Sequence, residues 1–207
     1  MKWKYLLSVW VVGLLAPAVW AADAPRVTLG SQPYAGLTNA TILIVRHAEK
    51  PASGVELAPL GVMRSLAYVQ YFQHLKLDGQ LVKVDDIICT ADSKGSERPR
   101  LTIQPLSEAL KLPLDNRFKD KDAALLGAEL RAKPHGRAIV ICWHHGEIPE
   151  LIDALGGNAA AVLPQSTWPD TVFGWMIELR YDAAGRLSMI KCIHEHLMPD
   201  DKTGVGA

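Results

Sequence analysis

The sequence is short of cysteine, has no surplus of charge of either sign and contains no apolar run long enough to cross a membrane comfortably. Its 207 residues include three cysteines, Cys89, Cys142 and Cys192. Three is an odd number for an exported protein, and no CxxC or other zinc-ligand spacing occurs, so neither a disulfide framework nor a zinc module is indicated. Each cysteine lies in an apolar stretch, so packed thiols are expected, with one disulfide and a leftover thiol as the alternative. Lysine plus arginine and aspartate plus glutamate number 22 each, a formal net charge of zero. That balance gives no electrostatic footprint for nucleic acid or an anionic membrane. Internal repeats, low-complexity tracts and the carboxylate clusters that hold paired metal ions are also missing.

The chain begins MKWKYLLSVWVVGLLAPAVWAADAP, two lysines followed by an apolar run from Tyr5 to Trp20 and then small residues. This is the pattern of a secretory signal peptide over residues 1–21, cut after Ala21. An uncleaved anchor is the alternative, although a bilayer span needs about 20 apolar residues, more than this run supplies. No cysteine follows the run to carry a lipid. Cleavage would leave 20 basic against 22 acidic residues, in a chain of the size of one domain. The expectation is a periplasmic or secreted protein with an N-terminal extension over 22–40, a domain over 41–198 and a tail over 199–207.

Within that domain, strand and helix signals alternate. TILIVRH (41–47), DIICTA (86–91) and AIVICWH (138–144) are continuous apolar runs, the mark of strands buried on both faces. Between Pro59 and Leu75, the positions Leu60, Met63, Ala67, Tyr71 and Leu75 recur at three or four and predict a helix with proline in its first turn. Residues 97–111, 122–132 and 147–155 are also expected to be helical, with Pro99 and Pro105 delaying the start of the first or kinking it. Two β-rich segments flanking AAGR near the C-terminus predict an antiparallel hairpin. The fold class is therefore α/β: a three-layer α/β/α sandwich with a mainly parallel sheet, helices on both faces and the hairpin at one edge.

One stretch raises a chemical question. In ILIVRHAEKP (42–51) an apolar run ends on an arginine beside a histidine. Ligands of open α/β sheets bind beyond the carboxyl ends of the strands. Arg46 and His47 stand at such an end, and His144 closes another in AIVICWHHG. An arginine and two histidines converging there suit a phosphate, which guanidinium grips in bidentate fashion.

At these residues the chain resembles the histidine phosphatase superfamily, also called phosphoglycerate mutase-like. RHAEK (46–50) resembles its RHG-type motif, and LAPLGVMRSLAY (57–68) the helix start that follows it. ADSKGSERPRLTIQPLSEAL (91–110) resembles the segment with an arginine four residues before a threonine and seven before Pro-Leu. Thr102, Pro105 and Leu106 therefore select Arg98 over Arg100. VICWHHGEIPELI (140–152) resembles the segment with the second histidine five residues before a proline, which selects His144. The resemblance implies a phosphoglycerate mutase-like fold and a phosphomonoesterase in which His47 is the nucleophile and becomes phosphorylated. Arg46, Arg98 and His144 would bind the phosphate oxygens, and neither a metal nor another cofactor would be needed. His145 stands where one branch of the family has its proton-donating aspartate. Glu147 and His145 are the nearest candidates for that acid. Substrates would be phosphorylated small molecules, glycans or proteins, in a pocket left open by the short insert around Phe118.

Other readings accompany these. His145 suits a position at the rim, Glu49 and Lys50 suit a solvated loop pair, and Glu147 suits the start of a helix, whose dipole favours it. His194 and His196 alternate on one side of a strand, as metal ligands or a solvated face do. Trp143, Trp168 and Trp175 suit core or pocket wall. A noncatalytic phospholigand-binding relative, and a periplasmic metal-binding protein built on His144, His145, His194 and His196, are the alternative functions.

Overall fold

A computed structural model describes residues 36–133, 135–199 and 201. The signal peptide and cleavage site expected at the N-terminus lie outside the described residues. Eight strands and four α-helices follow in the order β1 (Thr41–Arg46), α1 (Pro59–His74), β2 (Lys76–Leu77), β3 (Gln80–Leu81), β4 (Asp86–Thr90), α2 (Arg98–Leu110), β5 (Leu114–Phe118), α3 (Ala123–Ala132), β6 (Ala138–Trp143), α4 (Ile148–Ala154), β7 (Trp175–Tyr181) and β8 (Leu187–His194). Six strands form one sheet in the order β5-β4-β6-β1-β7-β8. The first four run parallel, while β7 pairs antiparallel with β1 and β8 antiparallel with β7. The expected architecture is thus present, and the C-terminal hairpin forms one edge.

Alternation along the central strands divides the core in two. Ile42 and Ile44 of β1 face α3 and α4, packing with Leu126, Leu130, Leu151 and Ile152. Leu43 and Val45 face α1 and α2, packing with Tyr68, Phe72, Ile103 and Leu106. Both faces of the sheet are therefore covered, which explains why the strand sequences are apolar at every position rather than at every second one. The three cysteines are free thiols, as expected, and burial pushes Cys89 up to about 12.

Three features differ from the sequence reading. What resembled an insert around Phe118 is β5, which lengthens the sheet and buries Phe118. Helix α2 starts at Arg98 rather than late, because Pro99 falls in the first turn, where no amide donor is needed. Residues 36–40, assigned to an extension, place Leu37 and Ala40 in the core. Among the described residues no helix is long and apolar enough to cross a membrane.

A polar network lies under α1. Arg64 is buried and bonds Glu49 through Nε and Nη2 and Asp201 through Nη1 and Nη2. Asp201 also accepts from the amides of Leu197 and Met198. Glu49 is therefore no member of a solvated loop pair: its side chain is 12% exposed and tied to Arg64. Nearby, the hydroxyl of Tyr68 donates to Glu195 at 3.0 Å. Burial pushes the Glu195 carboxyl up to about 8 despite the opposing pull of that hydrogen bond and of Arg64.

A carboxyl whose folded pKa lies above its unfolded value of about 4.3 favours the fold while neutral, and that contribution is lost as pH rises through the folded value. Unfolding free energy measured in urea should accordingly fall by a few kcal/mol between about pH 5 and pH 9. Glu195→Gln should flatten that slope, and an unchanged slope would show that the pH dependence arises elsewhere.

Candidate active site

Four side chains singled out in the sequence arise from the carboxyl ends of adjacent parallel strands. Arg46 ends β1 and stands in register with Trp143, the last residue of β6. The next residue in each strand is a histidine, His47 or His144, and the His47 amide donates to the Trp143 carbonyl at 3.0 Å. Arg98 opens α2 after β4, the other neighbour of β6. The helices after β1 and β6 leave for opposite faces, which opens the crevice in which α/β sheets bind ligands.

Arg46 is buried at the tip of β1 with none of its surface exposed. Its Nη1 donates to the carbonyls of Pro169, Asp170 and Val172 at 3.2, 2.7 and 2.9 Å. Phe173 stacks on the guanidinium with its ring centre 3.9 Å from Cζ. Nε and Nη2 are buried and have no partner. Burial, partly offset by Asp170, pushes the arginine down to about 10, so it remains a cation at neutral pH. Two unbonded nitrogens on a buried cation are left to donate to an acceptor from outside the chain, and the positive charge suits an anionic one.

His47 is 3% exposed. Its Nδ1 lies 2.7 Å from the Ala48 carbonyl, and because a carbonyl only accepts, Nδ1 carries the proton and Nε2 keeps its lone pair. Burial pushes the imidazole down to about 3, with Arg46, His144 and Arg98 adding repulsion. The His144 ring centre is 5.2 Å away, nearly perpendicular. Burial also lowers His144, with Asp120 and Glu147 pulling the other way. Both rings are therefore neutral at pH 7.

Arg98 donates to the carbonyls of Gly54 and Gly95 at 3.0 and 3.1 Å, and its buried Nε has no partner. Its charge is felt at Arg46, His47 and His144. Arg100, two residues on, is instead paired with Asp92 and Glu97. Thr102 joins the two segments: its hydroxyl accepts from the Ala48 amide at 2.8 Å and donates to the Arg98 carbonyl at 2.7 Å. Helix α1 is held equally close, since a Cβ on Gly61 would lie 2.6 Å from the Glu49 carbonyl oxygen.

The remaining sequence candidates separate. Glu147 precedes α4 and is bound to Lys121 at 2.6 Å. His145 lies with its ring centre 6.4 Å from that of His47, and its Nε2 contacts Asp170 at 2.6 Å. His194 ends β8 and stacks on Trp175, whereas His196 is past the strand with a left-handed φ of 51°. The pair therefore does not share a strand face, and among the described residues no group of three or more His, Cys, Asp or Glu side chains is placed to hold a metal ion. Trp143, Trp168 and Trp175 are core residues. Sequence reading missed Asp170 and Phe173, and used Thr102 only as a spacing marker without foreseeing its bonds to Ala48 and Arg98. A cavity of about 420 Å³ lies elsewhere, between β5 and α3, lined by residues including Leu114, Phe118 and Leu130 and by none of these four. Its volume therefore does not locate the chemistry.

The fold is that of phosphoglycerate mutase. The chain aligns with the crystal structure of phosphoglycerate mutase from Plasmodium falciparum at a TM-score of 0.54 and 19% identity, covering 80% of this chain and 98% of that one. A phosphoserine phosphatase from Entamoeba histolytica, solved with phosphoserine, aligns at a TM-score of 0.46 and 11% identity over 77% of this chain and 98% of that one. No protein-family model and no curated protein matches the chain.

An NMR titration of the ring nitrogens should find His47 neutral, with its proton on Nδ1, from pH 8 down to about pH 4 and gaining charge only toward about 3. A midpoint near the ordinary 6.5 would mean that the pocket is open to water.

Proposed function

We propose that this chain is an exported, metal-independent phosphomonoesterase of the histidine phosphatase superfamily, acting through a phosphohistidine on His47. The observation that carries the reading is a neutral imidazole with a free Nε2 beside buried arginine donors that have no protein partner. A phosphomonoester dianion repels anionic nucleophiles, so a neutral imidazole kept from protonation is suited to attack phosphorus. In the first step the Nε2 lone pair forms a bond to phosphorus as the ester P–O bond breaks. In the second, water displaces the histidine and releases inorganic phosphate. Arg46 Nε and Nη2, Arg98 Nε and His144 would hold the nonbridging oxygens as charge shifts between attacking and leaving atoms. Support for the general class comes from the shared phosphoglycerate mutase fold, and support for export from the N-terminal sequence alone. The substrate is a phosphorylated small molecule, glycan or protein.

A noncatalytic phospholigand-binding protein is the second reading. It is favoured by the pairing of Glu147, one of the two sequence candidates for proton donor, with Lys121.

Purified protein should hydrolyse p-nitrophenyl phosphate in the presence of chelator and accumulate an acid-labile phosphoenzyme. His47→Ala should abolish both, and Arg98→Ala should lower kcat/KM roughly a hundred- to a thousand-fold. Phosphate or vanadate binding without turnover would favour the second reading, and loss of activity on chelation would sink the metal-independent scheme.

A further inference from the structure

We infer that His145, oriented by Asp170, is the general acid that protonates the leaving oxygen and afterwards the base that activates water. The inference rests on the phosphohistidine reading above. His145 follows His144 in the loop between β6 and α4, its ring centre 6.4 Å from that of His47. Its Nε2 is 2.6 Å from Asp170 Oδ1. A carboxylate accepts, so Nε2 carries a proton and the tautomer is fixed. The other nitrogen, Nδ1, is buried and has no partner. A histidine with one nitrogen held by a carboxylate and the other unbonded near a nucleophile is equipped to exchange a proton there.

The position of Asp170 supports this assignment. Its backbone carbonyl accepts from Arg46 Nη1 at 2.7 Å while its side chain holds His145. One residue thus connects the guanidinium available to the phosphate with the imidazole available to the leaving group. Two of the competing carboxylates are engaged elsewhere, Glu147 with Lys121 and Glu49 with Arg64, while Asp120 acts on His144 and Glu56 on Arg98.

The proton balance closes. As His47 Nε2 bonds to phosphorus and the P–O bond breaks, the Nδ1 proton of the His145 imidazolium passes to the departing oxygen, giving an alcohol and a neutral His145. Water then attacks the phosphohistidine, yields a proton to Nδ1, and the P–N electron pair returns to His47. The groups facing His145 are Arg46 of β1, His47 at a ring separation of 6.4 Å, Lys50 of the following loop, its neighbour His144, and Asp170. Burial and then Arg46 lower it, and Asp170 raises it, for a net lowering. Its charged form therefore predominates only on the acid side of the ordinary histidine range, which places cleavage of poor leaving groups at acidic pH.

The test compares single-turnover release of p-nitrophenol, a good leaving group, with release of glycerol from glycerol 3-phosphate, an alkoxide that needs a proton. His145→Gln should reduce the glycerol phosphate rate by about 10²- to 10⁴-fold and the nitrophenyl rate by far less. Asp170 is a positioning residue. Asp170→Asn removes a charge that raises His145, so the falling limb of the glycerol phosphate pH profile should move to lower pH, and Asp170→Glu should restore it. Equal slowing of both substrates in His145→Gln, or an unmoved limb in Asp170→Asn, would overturn the assignment while His47 still becomes phosphorylated. If the parent protein turns over neither substrate and His47 is never phosphorylated, the phosphatase reading itself fails and this inference with it.

Discussion

A guanidinium is buried at the tip of a central strand with only one of its three nitrogens bonded to protein. Arg46 Nη1 meets three carbonyls, while Nε and Nη2 meet nothing. Leaving a buried donor unpaired costs on the order of 1–3 kcal/mol, more when the group is charged. Such an arrangement does little for the fold, and it is accounted for when an anion completes it. Arg98 repeats the pattern with two bonded nitrogens and a buried, unbonded Nε. Unpartnered nitrogens on two buried or half-buried arginines are the observation on which the proposed phosphate site rests.

The same burial governs the histidines. Water is excluded from His47, and the neighbouring cations disfavour a further positive charge, so its imidazole stays neutral and keeps a lone pair on Nε2. Burial also lowers His145, but less than it lowers His47, and Asp170 opposes the shift. Two histidines in one pocket are thus separated in basicity by their surroundings, the condition under which one acts as nucleophile and the other carries a proton. Fixed donors also avoid the reorganisation that water would have to undergo as charge moves between atoms.

Much of this was legible in the sequence because strands buried on both faces are apolar throughout and end abruptly. TILIVRH and AIVICWHH announced both the strands and the point where polar chemistry begins. β5 was not legible: LDNRF is a short edge strand whose middle residues are polar or charged, as exposed edges often are. Neither was the Arg64 network, since Glu49, Arg64 and Asp201 meet only through folding across 137 residues of chain. Arg98 and Arg100 were distinguished in sequence only by spacing, whereas in the fold two carboxylates hold Arg100 and leave Arg98 beside the histidines.

The segment before β7 carried no motif and yet completes the site. Its backbone is fixed from two sides: the Val172 carbonyl accepts from Arg46 Nη1 and also from the indole of Trp168 at 2.8 Å, and Trp168 packs against Trp175 in the core. Phe173 and Asp170 are therefore held by the same bonds that hold the arginine. The wall that carries Phe173 and Asp170 is thus anchored to the core. Polar groups held in advance of the ligand are what a site stabilising a transferring phosphoryl group requires.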